Sequence, residues 1–178
     1  MRYAAVRHFD ITNGEGVGIS LFVQGCNFHC YQCFNPETWD FNLGKEWTED
    51  VEEKFLSLAG RDYIKRISIL GGSPLCQENA YDVSQLVTKL KHKYPDKQIW
   101  VFTGYTWENL ISPVIVDELS FTIWKESIDI VLHNIDVLVD GQFIYDKRDL
   151  SLAFRGSSNQ RIIDVKETLK RGEVVLWE

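Results

Sequence analysis

The sequence lacks any run of about 18 apolar residues, the length a membrane-spanning helix requires, so no segment reads as transmembrane. It also lacks a positive excess: 19 Lys and Arg stand against 26 Asp and Glu, a formal net charge of −7. A duplex-binding surface neutralises phosphates with Lys and Arg in excess, so nucleic acid is not an expected partner. The opening MRYAAVRHFDITNG starts basic but has no sustained apolar core, so it does not read as a signal peptide. Together these absences set the expectation of a cytoplasmic protein without membrane association. There is no internal repeat and no low-complexity segment.

What is present suits one globular domain spanning residues 1–178. The chain is 44% hydrophobic and 25% charged, an ordinary soluble balance. A chain of this length buries most of its apolar surface without help from disulfides.

Elements alternate along the chain. Residues 19–23 (Ile-Ser-Leu-Phe-Val) read as a buried strand, as do 66–70, 98–103 and 135–140. Residues 48–59 read as a helix: Val51, Phe55 and Leu58 share a face, Thr48 suits the cap, and the acids of the first turn suit the positive end of the dipole. The spacing of Ala80, Val83, Leu86, Val87, Leu90 and Tyr94 predicts a helix over 79–94, stopped by Pro95. Residues 114–132 read as helix blurred by the aromatic and β-branched Phe121-Thr122-Ile123-Trp124. Short strands are expected at 161–165 and 173–177. Alternating strand and helix implies an α/β fold with a parallel sheet. The strands at 66–70, 98–103 and 135–140 run into Gly, and the first strand runs into a cysteine loop. In parallel sheets the carboxyl ends of the strands form the ligand face, so these features should meet on one edge.

The four cysteines are Cys26, Cys30, Cys33 and Cys76, and three of them fall within eight residues. A disulfide framework spreads its cysteines through a small secreted chain; crowding favours a shared metal or cluster in a reducing compartment. Soft thiolates suit iron, and short spacers let one loop wrap three corners of a cubane. Three ligands for four irons leave one iron open to chemistry. Zinc is the alternative, with Cys76 or His29 as fourth donor. The adjacency of His29 and Cys30 makes convergence of both on one small ion awkward.

The C-x3-C-x2-C spacing, with an aromatic at Tyr31, resembles the signature of the radical S-adenosylmethionine (SAM) superfamily. Gly71-Gly72-Ser73-Pro74 resembles that superfamily's Gly-Gly-Glu/Asp-Pro segment, with Ser73 in place of the acid. Four stretches carry a finer resemblance, to the activating proteins of anaerobic (class III) ribonucleoside-triphosphate reductases. They are Asp10 to Gly16, Cys33-Phe34-Asn35-Pro36-Glu37-Thr38-Trp39, Trp100 to Thr106, and Ile135 to Phe143 taken with Arg155 to Asp164. Glu15, Gly18, Phe34 and Ser73 depart from the family pattern; at Gly18 the family commonly has Arg.

The resemblance implies a partial, laterally open parallel β/α barrel of the radical SAM type, since a complete one takes about 250 residues. It implies a [4Fe–4S] cluster on Cys26, Cys30 and Cys33 and SAM as the second cofactor. Tyr31, Gln32, Phe34, Gly71, Gly72, Ser73 and Pro74 are the implied SAM contacts, with no catalytic residue beyond cluster and SAM. The implied activity is that of an oxidoreductase: SAM is cleaved reductively, and the resulting radical takes hydrogen from a glycine near the C-terminus of the catalytic subunit of the reductase. Flavodoxin is the implied electron donor. A competing enzyme reading is a short radical SAM protein acting on a small molecule, like the 7-carboxy-7-deazaguanine synthases; a non-catalytic zinc-binding protein is the competitor from another class. Cys76 reads as inert. Asp140-Gly141 ends a strand on the ligand face, and Arg155, Asn159, Gln160 and Arg161 read equally as recognition residues or as a solvated loop.

Overall fold

In the computed structural model, residues 1–112 and 118–178 are described. They form β1 (Arg2–Asp10), β2 (Gly18–Val23), β3 (Lys45–Glu46), α1 (Glu49–Ala59), β4 (Arg66–Gly71), α2 (Gln77–Lys93), β5 (Gln98–Phe102), α3 (Trp107–Ile111), α4 (Glu118–Asn134), β6 (Val137–Asp140), β7 (Arg161–Asp164) and α5 (Val165–Arg171). The expected α/β class is what forms. One sheet runs in the order β3-β1-β2-β4-β5-β6-β7. Its centre, β2-β4-β5-β6, is parallel, while β1, β3 and β7 join antiparallel at the two sides.

Local chemistry sets several helix boundaries. The Thr48 hydroxyl accepts from the Val51 N–H and opens α1. Asp164 does the same for Glu167 in α5, and Gly172 closes that helix at φ 72°. Tyr94 ends α2 one residue before Pro95.

Two expectations need correction. β1 was not among the predicted strands: Ala5, Arg7, His8 and Phe9 are exposed, so the segment has no clean apolar alternation. Its ladder with β2 is also broken by two register shifts. The strand expected at 173–177 is reduced to a single bridge, Ile163 to Leu176. Of the stretch 114–132, residues 114–117 lie outside those described, and α4 carries the rest.

The period-2 geometry of strands sorts their side chains onto two faces. Ile19, Leu21, Val23, Ile67, Ile69, Ile99, Val101 and Leu138 join Val83, Leu86, Val87 and Leu90 of α2 and Trp124, Ile128 and Val131 of α4 in one buried core. The opposite face carries Ser20 and Phe22, Arg66, Ser68 and Leu70, Trp100 and Phe102, Val137 and Val139. No described helix that packs in the core covers this second face; loops do, and they leave a cleft.

Candidate functional site

The cleft encloses about 610 Å³ and is lined by residues from every central strand end. Cys26, Cys30 and Cys33 line it, together with Phe34, Gly71, Gly72 and Gly104. The ligand edge inferred from the Gly-terminated strands is therefore assembled in one place.

The cysteine loop leaves β2 through Gly25, at φ 96°. His29 (φ 46°) and Gln32 (φ 56°) also adopt left-handed backbone. A left-handed conformation costs a side-chain-bearing residue about 1 kcal/mol, and each of these two immediately precedes a cysteine. The reversals turn Cys30 and Cys33 toward the same cleft as Cys26. The Gly25 N–H donates to the Thr38 carbonyl (2.8 Å), and the Cys26 N–H to that of Trp39 (3.0 Å). The returning segment thus clamps the loop.

Close backbone approach holds the loop to β4. The Ser73 N–H donates to the Gly25 carbonyl at 2.7 Å, and the Gly72 N–H to that of Val23 at 2.9 Å. A Cβ on Gly72 would lie 2.3 Å from the Gly25 oxygen. Glycine is required there because the two chains touch. Gly104 meets the cysteine loop similarly: a Cβ there would strike the ring of Phe28, which packs edge-on against Tyr105 at 4.9 Å.

The donor chemistry fits a cluster. Burial pushes the Cys26 thiol up, while N–H groups of Phe28 and His29 favour its thiolate. The Asn35 N–H points at the Cys33 sulfur, 3.4 Å away. Among the described residues no three His, Cys, Asp or Glu side chains converge on one ion position. A cubane needs no such convergence, because each thiolate takes a different iron. Cys76 is fully buried at the N-cap of α2, does not line the cleft, and burial pushes its thiol up to about 12.

The other implied contacts divide. Phe34, Gly71 and Gly72 line the cleft, whereas Tyr31, Gln32, Ser73 and Pro74 are not among its lining residues. Tyr31 is 72% exposed and packs edge-on against Tyr145. Ser73 is buried, and its hydroxyl has no hydrogen-bond partner. Asp140 and Arg161 are structural neighbours rather than cleft-lining residues. Asn159 donates to the Gln142 carbonyl. Gln160 lines the cleft and accepts from the Gly156 and Ser157 N–H groups, bracing the loop that carries Arg155. Phe143, Leu150, Leu152 and Phe154 complete an apolar wall. Sequence reasoning missed that wall, because no motif marks a loop that folds back over a sheet, and missed Arg7, because it sits on β1, which no apolar alternation marks.

Gly18 is the register partner of Arg66. A Cβ on Gly18 would lie 2.8 Å from the Arg66 guanidinium carbon. The space beside position 18 is filled by a guanidinium from the adjacent strand.

Residues 12–163 match the 4Fe-4S single cluster domain family, which defines the class. Three relatives, each named an anaerobic ribonucleoside-triphosphate reductase-activating protein, narrow it. The one from Vibrio cholerae is 38% identical over 91% of this chain and 97% of its own length. That from Escherichia coli is 39% identical over 90% and 96%. That from Haemophilus influenzae is 37% identical over 91% and 97%. The chain belongs to the family of anaerobic ribonucleoside-triphosphate reductase-activating proteins. Among the described residues no helix is long and apolar enough to cross a membrane.

Proposed function

We propose that this protein is a radical SAM activase that installs a glycyl radical on the catalytic subunit of an anaerobic ribonucleotide reductase. The observation that carries the reading is the meeting of three cysteine thiols with the Gly71-Gly72 strand end in one open cleft. In this reading the sheet is a partial β/α barrel whose missing strands leave a lateral mouth.

Cys26, Cys30 and Cys33 would hold a [4Fe–4S] cluster with one iron left to chelate SAM. When bound, cluster and SAM together supply an electron, a carbon–sulfur bond to break and a radical that takes hydrogen from a glycine. The protein binds and orients. Gly71 and Gly72 present backbone without side chains, so a ligand can approach β4 closely. Phe34, braced by Phe143 at 5.1 Å, offers an apolar surface for an adenine ring. Ser73 lies buried just behind the cleft lining, and its uncharged hydroxyl would hold an ammonium less strongly than a carboxylate at that position would. Phe143, Leu150, Leu152 and Phe154 would give the bound cofactor an apolar side wall. The entering polypeptide would be the reductase segment that carries the glycine, and a flavodoxin-type protein would supply the electron.

The test is anaerobic incubation with reductant, SAM and the cognate reductase, followed by electron paramagnetic resonance. A glycyl-radical signal that requires all components supports the reading. SAM cleavage without any such signal refutes it.

A further inference from the structure

Beneath the cleft lies a buried charge pair that the proposed chemistry does not use. Arg66 is fully buried, and Asp10 is 4% exposed. They come from β4 and the end of β1, and approach to 3.6 Å. Neither charge is left bare. The Arg66 guanidinium donates to the carbonyls of Asp10 (2.9 Å), Asn13 (2.6 Å) and Glu15 (3.2 Å). The Asp10 carboxylate accepts from the N–H groups of Thr12 (2.6 Å) and Asn13 (3.1 Å), from the Asn13 amide (2.6 Å) and from the Ser20 hydroxyl (2.7 Å). One guanidinium and one carboxylate thus bond three carbonyls and two N–H groups of residues 10–15. An arginine fork suits this, because its five donors are fixed in a plane.

The position of this loop gives the pair a role. The cysteine loop follows Val23, at the carboxyl edge of the parallel strands. Gly18 and Arg66 begin β2 and β4, at the other edge. Residues 11–17 fold over that lower edge: Gly14 lies against Arg66 and Trp100, and the indole N–H of Trp177 reaches the Glu15 carboxylate at 3.2 Å. Thr12 and Asn13 thereby line the cleft from the end away from the cluster loop.

We infer that Arg66 and Asp10 are positioning residues that set Thr12 and Asn13 as the floor of the cleft, and that this floor receives the inserted polypeptide of the partner. The inference rests on the proposed function, because a ligand chelating the cluster occupies the upper edge. Whatever meets Thr12 and Asn13 is the second reactant. An open-ended cleft would let the partner segment slide past the reacting position; a fixed floor stops it at one depth.

Arg66→Met removes the fork, and Gly14→Ala, whose methyl would press on the Arg66 side chain and Trp100, displaces the loop with both charges still in the chain. In both variants, reconstituted with cluster, the KM for the cognate reductase should rise about tenfold while iron per chain stays at the parent level. Arg66→Lys, which keeps the charge but reaches fewer carbonyls, should fall between. Hydrogen–deuterium exchange gives a readout independent of activity: the Thr12 and Asn13 amides should exchange at least tenfold faster in Arg66→Met. Parent-like protection of those amides, or a parent-like KM in a variant with faster exchange, overturns the inference. Loss of iron in step with the change in KM also overturns it, since the effect would then be on the cluster. A parent protein that cleaves SAM but never radicalises the reductase overturns the functional reading instead, and leaves the exchange result to decide the positioning.

Discussion

Asp140 and Arg161 face one another across the β6–β7 ladder and are joined again through their side chains. The Arg161 guanidinium bonds both Asp140 oxygens and also forks onto Glu108 at 3.0 and 2.8 Å. Asp140 in turn accepts the Trp107 N–H at 2.8 Å, which anchors the start of α3. Because Asp140 is only 1% exposed, removing its cation leaves a buried carboxylate underpaired. Arg161→Met should therefore destabilise the fold by about 3 kcal/mol, read as a lowered urea midpoint. A change near zero would show that the pair contributes only to a solvated surface.

Gly72→Ala places a methyl where the Gly25 carbonyl stands. Overpacking of this kind costs about 1–3 kcal/mol, and here the strain falls on the loop carrying the cysteines. The variant should fold yet retain less than half the parent iron and sulfide after anaerobic reconstitution. Parent-like iron content would mean the loop can retreat without cost.

The same reasoning separates the cysteines. Cys26→Ala, Cys30→Ala and Cys33→Ala should each abolish SAM cleavage, whereas Cys76→Ala should retain a full cluster. In the folded protein Cys76 should resist iodoacetamide at pH 8, since burial holds its thiol at about 12 and shields it from reagent. Mass spectrometry before and after denaturation reads this directly, and rapid labelling of native protein would contradict it.

Asp10 gives a pH signature. Burial pushes its carboxyl up, but hydrogen bonds from Ser20, Thr12 and Asn13 outweigh burial and hold it down to about 2, below the ordinary 3.8. A depressed folded value stabilises the protein above the unfolded pKa, and the gain is lost as pH falls through the folded one. The contribution is about 2 kcal/mol. The stability gap between parent and Asp10→Asn, measured by urea unfolding, should be full above pH 5 and shrink steadily below pH 4. A gap that does not change with pH would contradict the hydrogen-bond assignment.

The parts of the fold legible in the sequence were those written in local periodicity. The apolar runs of β2 and β4 and the helical spacing of α2 needed no partner to be read. β1 was not legible, because its stability comes from pairing with β2 rather than from its own pattern. The site divides the same way. The cysteine loop and the Gly-terminated strands stand beside their neighbours in sequence, so their meeting followed from parallel topology. Arg66 and Asp10 lie 56 residues apart, and the pairing of Gly18 with Arg66 is a matter of sheet register that no local motif carries. The wall from Phe143 to Phe154 depends on a loop path that no short motif encodes.

The central claim is hydrogen transfer from a partner glycine, and isotope transfer tests it most directly. The cognate reductase would be made with glycine deuterated at the α-carbon, then incubated anaerobically with this protein, reductant and SAM. The 5′-deoxyadenosine formed would be analysed by mass spectrometry. Deuterium in that product, absent when Cys30→Ala replaces the parent, is the predicted result. Unlabelled 5′-deoxyadenosine formed alongside an active cluster would contradict the account.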